Sequence, residues 1–418
     1  MNGSRDDVAD LIVIGAGAAG LATAIFTARA TPACRIVCVD GARRIGAKIL
    51  VSGGSRCNVT NREVTERDFW GGSTRFVRSV LRAFPAGRAI AFLTEIGVAM
   101  HEEEDGKLFP DTNTSRTVLD ALLREAGRVG VSLFTGARVE SLQKDGDAFV
   151  ATTGTGRSIR SRRAVLCTGG RSLPKTGSDG FGYELARRLG HGCVDTVPAL
   201  APLLFEGWES LTGASHPAAM TLRADGRPTV SLQGSLLWTH FGASGPLALN
   251  LSRHWHRAHA DGGQCDVVIG VCPGETFESL NAWLRDEGLR RPRARVATAV
   301  AARLPAVVAD RWVRAVGIAE DQTLAHLIRE ERHALVRALL ETKLPVRGSR
   351  GFAHAEVTAG GVPLEEVDSA TMESRVCAGL HLTGEILDVD GRLGGFNFQW
   401  AWSSAWVAAQ AIARERRR

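Results

Sequence analysis

Three apolar patterns divide the chain. Short continuous runs, Leu11-Ile-Val-Ile14 and Ile36-Val-Cys-Val39 among them, predict strands buried on both faces of a parallel sheet. Alternating runs broken by Gly and Pro, such as Thr229-Val-Ser-Leu-Gln233 and Cys265-Asp-Val-Val-Ile-Gly-Val271, predict a β-rich stretch over 195–275. Helical spacing at Leu324, Leu327, Ile328, Leu335 and Leu339 predicts helices over 276–345, and an apolar helix is expected from Trp400 to Ile412. No window approaches the ~18 continuous apolar residues of a membrane span. The first apolar run follows Asp6, Asp7 and Asp10 rather than a basic leader, so a cytoplasmic chain is expected. The eight cysteines form no C-x-x-C pair, which removes the zinc-ribbon and dithiol-relay readings and fits a reducing compartment with no metal.

The first strand breaks into Gly15-Ala-Gly-Ala-Ala-Gly20 and continues as an alanine-rich helix. Gly15 permits the tight turn, Gly17 has no Cβ to block a pyrophosphate, and Gly20 lets helix and strand pack closely. Ala18 and Ala19 open the helix, whose free N–H groups and dipole favour the diphosphate charge. The second strand ends in Asp40, placed to accept hydrogen bonds from ribose hydroxyls. A glycine fingerprint between two strands and closed by an acid points to a dinucleotide rather than a structural turn. FAD fits better than NAD, because the fingerprint lies near the N-terminus, a basic-glycine loop (Arg43 to Lys48) follows the acid, and further glycines recur far downstream. No second fingerprint is visible, so NAD(P)H would visit the flavin transiently.

From Lys48 to Asn61 the chain reads Lys-Ile-Leu-Val-Ser-Gly-Gly-Ser-Arg-Cys-Asn-Val-Thr-Asn. This resembles the signature of the YhiN/BaiN-type flavoproteins, within the glutathione-reductase-like FAD superfamily. The resemblance recurs in family order at 166–183, where the chain includes Cys-Thr-Gly-Gly-Arg-Ser, at Leu237-Trp-Thr-His-Phe-Gly-Ala-Ser-Gly-Pro246, at Val357-Thr-Ala-Gly-Gly-Val362 and from Gly384 to Ser404. Ser55 stands where a third glycine is usual, Phe396 where tyrosine is common, and Ala405 where a glycine is usual. The resemblance implies FAD contacts at Lys48, Gly53, Asn58, Val139, Thr168, Gly169, Gly170, Gly384, Glu385, Asp388, Gly395, Phe396 and Asn397. Asp388 is a candidate for the ribityl hydroxyls. Gly394 to Asn397 are expected to open a helix whose N-terminus faces the flavin pyrimidine.

Three residues are candidates at the reacting end. Cys57 is a proton donor whose thiolate Arg56 would favour, or else a small buried filler. Arg56 itself could hold the diphosphate or the substrate. His240, in a turn beside Ser244, is a proton donor to a carbanion or else a structural histidine; Tyr183 is a weaker candidate.

The expected architecture is α/β: a Rossmann-like FAD-binding domain of glutathione-reductase type formed by 1–190 and 352–418, with an inserted β-rich plus helical substrate domain at 191–351. Family members act on steroid-like enones and on uridine of ribosomal RNA, so the implied activity is NAD(P)H-dependent reduction of a conjugated C=C bond. A small-molecule enone and ribosomal RNA stay open as substrate, and a redox or assembly module without turnover is the alternative from another class. The net charge of +6 separates into the terminal Arg414–Arg418 segment and an arginine-rich stretch from Arg285 to Arg314, with the rest nearly balanced. Five lysines among 51 basic residues suggest a GC-rich genome, so the charge bears on RNA only through where that stretch lies.

Overall fold

The apolar run Asp6–Ile14 (β1) is flanked by two parallel partners, Ile36–Val39 (β2) and, much later in the chain, Ser158–Leu166. The computed structural model describes residues 6–260, 262 and 265–416. It divides into two compact units, one reaching Val197 and resuming at Glu356, the other running from Pro198 to Ala355. Both divides fall a few residues C-terminal of the positions expected from sequence.

With Ser132–Phe134 as β3, Val139–Asp145 as β4, Ala148–Thr153 as β5 and Ser158–Leu166 as β6, the sheet order of the first unit is β3-β2-β1-β6-β5-β4. The first half of β6 pairs antiparallel with β5, and its last three residues pair in parallel with Leu380–Leu382. Ile14, Val39 and Leu166 are in register, so three parallel strands stop side by side and Gly15, Asp40 and Cys167 line one carboxyl edge. Ligands of such sheets collect at that edge.

The helix Ala18–Ala30 (α1) is buried at every position from Ala19 to Ala28, which explains its lack of a polar face. One side packs on the sheet and another on the last helix, Phe396–Arg416, with Phe26 meeting Trp406 edge to face at 5.2 Å. The last helix begins at Phe396, within the Gly394 to Asn397 segment expected to open it, and Gly395 accepts its first backbone hydrogen bond, from Gln399 N. Its buried polar groups are paired: Gln399 Nε2 and Ser403 Oγ both donate to Phe84 O.

The second unit holds a mostly antiparallel sheet. Ser215–Ala224 (β7) and Arg227–Thr239 (β8) form a long hairpin, Gly242–Ser244 (β9) pairs with β8, and Cys265–Gly270 (β10) pairs with β7. Trp238 and Trp312 centre its core, with Trp238 Nε1 donating to His216 Nε2 at 3.0 Å. The helical half does not follow the expected spacing throughout. Leu324–His326 is one 3-10 turn and Ile328 is 56% exposed, because Glu331 accepts the Ile328 N–H and starts the helix Arg329–Leu340 only after it. Among the described residues, no helix is long and apolar enough to cross a membrane.

Candidate functional site

The three fingerprint glycines are explained differently by their surroundings. A Cβ on Gly15, whose φ is +101°, would lie 2.5 Å from Cys167 O, and one on Gly20 would lie 1.8 Å from Gly15 O. Those two positions are glycine because strand and helix touch there. Gly17 has an ordinary φ of −78° and nothing within 4 Å of a Cβ. Neither backbone nor packing requires glycine there, and the space a Cβ would fill is open. It lies at the N-cap of α1, whose first turn has no side-chain cap and no acidic residue. A diphosphate matches that cradle in charge and in hydrogen-bond donors.

Asp40 is held at the same edge by backbone donors, Ala16 N to Oδ2 at 2.7 Å and Ala42 N to Oδ1 at 2.8 Å. Each oxygen keeps a second lone pair, so the fixed carboxylate can also accept a ribose hydroxyl. Ala137 N donates to Asp40 O, which brings the start of β4 and Val139 alongside.

A second convergence joins Lys48, the loop after β6 and the C-terminal motif. Lys48, on the helix Ala47–Ser55 (α2), donates from Nζ to Glu385 Oε2 and to Ser172 Oγ, both at 2.5 Å. Glu385 Oε1 accepts from Ser172 Oγ at 2.8 Å and from Thr358 N at 3.0 Å. Thr358 Oγ1 in turn accepts from Arg171 N and Ser172 N, tying the segment beyond Thr168, Gly169 and Gly170 to the strand Val357–Gly361. Gly384 donates its N–H to Ser404 Oγ on the last helix and accepts from Trp400 Nε1. Sequence reasoning gave no role to Ser172 or Thr358; the available signal was a hydroxyl residue inside each quoted motif. Asp388 is buried beside Gly71, where a Cβ would lie 3.0 Å from its Oδ1.

The third convergence binds 58–61 to the start of the last helix. Trp402 Nε1 donates to Val59 O at 2.9 Å, Thr60 Oγ1 to Gln399 Oε1 at 2.6 Å, and Asn61 Nδ2 to Gly394 O at 3.1 Å. Gly395, at φ +91°, has no room for a side chain: a Cβ would come within 2.4 Å of the Thr60 carbonyl and 2.7 Å of Asn58 Oδ1. Asn58 also accepts the Leu108 N–H, and Gly53 packs against the Asn58 amide nitrogen. The Asn397 amide exchanges two hydrogen bonds with the Gly391 backbone, and Phe396 is fully buried under the Arg392 guanidinium.

One expectation at the reacting end needs correction, that Arg56 would favour a Cys57 thiolate. Arg56 pairs instead with both oxygens of Glu103, at 2.5 and 3.2 Å, and stacks 4.1 Å from the Phe109 ring centroid. Cys57 is fully buried, and that burial pushes its thiol up to about 12, the reverse of an arginine-stabilised thiolate. Iodoacetamide at mildly alkaline pH is therefore expected to spare Cys57 in the native protein while alkylating half-buried Cys34 and Cys193. Peptide mass mapping checks this, and equal labelling of Cys57 would restore it as a reactive thiol.

Tyr183, on the helix Phe181–Arg188, is buried with no hydrogen-bond partner on its hydroxyl, and desolvation followed by the Glu385 charge holds the phenol well above its usual range. His240 is exposed in the turn after β8, its ring edge-on to Phe241 at 5.0 Å and its nitrogens without a hydrogen bond. Among the described residues one group of metal-type side chains comes together, Glu373, His381 and Glu415, but Arg163 is already paired with Glu415.

The HI0933-like protein Rossmann domain model matches residues 9–411. A ribosomal RNA dihydrouridine synthase of Escherichia coli (strain K12) is 34% identical over 408 residues, covering 96% of this chain and 98% of the relative. A 3-dehydro-bile acid delta(4,6)-reductase of Clostridium scindens is 31% identical over 411 residues, covering 96% and 98%. The solved 3-ketosteroid-delta4-(5alpha)-dehydrogenase of Rhodococcus jostii RHA1 aligns with a TM-score of 0.50 at 14% identity, over 99% of this chain and 98% of that one, and shares the fold. With the match running nearly end to end and relatives above 30% identical over the same length, the chain belongs to the HI0933-like family of FAD-dependent oxidoreductases.

Proposed function

We propose that the protein reduces a carbon–carbon double bond conjugated to a carbonyl, with NAD(P)H as electron source. The observation that carries this reading is the chemistry common to two relatives named for unrelated substrates. Making dihydrouridine saturates a C=C bond conjugated to a pyrimidine carbonyl, and a delta(4,6)-reductase acting on a 3-dehydro bile acid saturates bonds conjugated to the 3-carbonyl. FAD, when bound, would supply the hydride chemistry for such a reduction.

The residues of this chain supply the remainder. The α1 N-terminus around Gly17, Ala18, Ala19 and Gly20 holds the diphosphate, and Asp40 with Val139 flanks the adenosine end. Thr168, Gly169, Gly170, Gly384 and Asp388 take the ribityl side, braced by Lys48 and Glu385. Gly53 and Asn58 with Gly395, Phe396 and Asn397 surround the pyrimidine end, where the dipole of the last helix favours negative charge. His240, with both ring nitrogens free of hydrogen bonds, is the proton donor to the α carbon.

The test is anaerobic. The purified holoprotein is reduced with NADH or NADPH, and flavin absorbance is followed as an enone such as cyclohexenone, or a uridine-containing RNA, is added. Reoxidation by either class of acceptor is expected, and His240→Ala is expected to slow that half-reaction about 10²–10⁴-fold while sparing reduction by the nicotinamide. Flavin that only oxygen reoxidises would support a module without turnover and sink the reading. Ribosomal RNA is the favoured substrate of the two, supported by the 34% identity to a ribosomal RNA dihydrouridine synthase over 96% of this chain.

A further inference from the structure

Helices Phe277–Arg290 and Arg329–Leu340 of the second unit pack side by side. Arg332 Nε donates to Asn281 Oδ1 at 2.9 Å, the His333 ring meets the Phe277 ring at 5.1 Å, and the Arg337 guanidinium stands 5.8 Å from the same ring. The helices therefore run antiparallel, with 277, 281 and 285 of one facing 337, 332 and 329 of the other. Arg285, Arg329, Arg332, His333 and Arg337 form a single row along this seam.

Three other arginines of the helical half are neutralised by acids. Arg291 pairs with Glu287, Arg303 with Glu275, and Arg314 with Asp310 and Glu320. Among the described residues, none of the four seam arginines has a carboxylate within 4.0 Å. Glu330 is the acid that acts on the row, too far to pair, while Glu331 is occupied by Gln322 Nε2 and the Ile328 N–H. Like charge is concentrated enough to act on the row itself: burial, then Arg285 and Arg329, hold Arg332 below its usual range, and burial, then Arg329, Arg332 and Arg337, do the same to His333.

A row of unpaired guanidinium groups opposes folding by self-repulsion and favours a polyanion with regularly spaced charges. Guanidinium forks take phosphate oxygens two at a time, and from Arg329 to Arg337 the row extends about 12 Å along the helix axis, enough for successive phosphates of one strand. Phe277, half-buried between Asn281 and Arg337, adds an aromatic face of the kind that stacks on bases. We propose that this seam is the docking surface for a structured RNA, held through its phosphates; the proposal rests on ribosomal RNA being the substrate.

The test compares two triple variants of the full-length holoprotein that remove equal charge. One is Arg285→Gln with Arg329→Gln and Arg337→Gln on the seam, the other Arg291→Gln with Arg303→Gln and Arg314→Gln among the paired arginines. A fluorescein-labelled RNA hairpin is titrated by anisotropy across a salt series, with phosphatidylserine vesicles as competitor, and circular-dichroism melts confirm folding. The seam triple is expected to weaken RNA binding at least about tenfold and to lower the slope of log K against log salt by about 3, with the paired triple clearly less affected. Equal losses in both triples, an unchanged seam triple, wild-type binding no tighter than that of serum albumin, or loss of vesicle binding alone would each overturn it. The anaerobic acceptor assay separates the two readings: seam-dependent binding of an RNA that never reoxidises the flavin keeps the dock and removes RNA as substrate.

Discussion

Gly17→Val is expected to give a folded but colourless protein. The substituted Cβ enters space that no protein atom occupies, and a φ of −78° suits any L residue. Losing glycine at this N-cap costs about 1 kcal/mol, so the melting curve should match that of wild-type protein stripped of flavin. What the branched side chain removes is the approach of the diphosphate to the α1 N–H groups. Gly20→Ala is expected to behave oppositely: its Cβ would lie 1.8 Å from Gly15 O, so strand and helix must separate, at a cost of roughly 3 kcal/mol. Flavin absorbance per mole and calorimetry of the flavin-free forms distinguish the two. A Gly17→Val protein that purifies with stoichiometric flavin would show that the cradle is not the diphosphate site.

The second large effect is expected at Glu385. Removing its carboxylate leaves Thr358 N without an acceptor, the Lys48 ammonium without its counter-charge and with Ser172 Oγ alone, and Ser172 Oγ with only the Glu356 carbonyl at 3.3 Å, in a site where Glu385 is 18% exposed and Lys48 29%. Glu385→Ala should therefore destabilise by about 2–4 kcal/mol, which for a protein of this size lowers Tm by on the order of 2–5 °C. Lys48→Met should cost less, since the carboxylate keeps two donors. If the two variants melt together in flavin-free form, Glu385 acts only through Lys48 and the network is a simple ion pair.

How much of this was visible beforehand depended on how local the cause was. The roles of Gly15, Gly20 and Asp40 follow from a strand, a turn and a helix contiguous in sequence, and the family motifs marked the remaining segments of the first unit. Charge partners were not visible, because they are distant in sequence: Arg56 finds Glu103, and Lys48 finds Glu385 across 337 positions. Reading Arg56 beside Cys57 as a thiolate pair mistook adjacency in sequence for proximity. At a φ of +64° the Cys57 side chain turns into the core, while Arg56 extends to Glu103. The short 3-10 turn at Leu324 was equally hidden, since the helix start after it is set by a single hydrogen bond that leaves apolar periodicity unchanged.

The burial of α1 against the last helix also constrains how the protein is made. A ribosome releases α1 early and the last helix some 370 residues later, on the order of half a minute at ordinary elongation speeds. Throughout that interval the second unit can emerge and fold, while α1, apolar on every side, has lost nothing but its cover. The first unit therefore cannot close its core until the last helix emerges, so its folding is ordered by synthesis rather than by local stability.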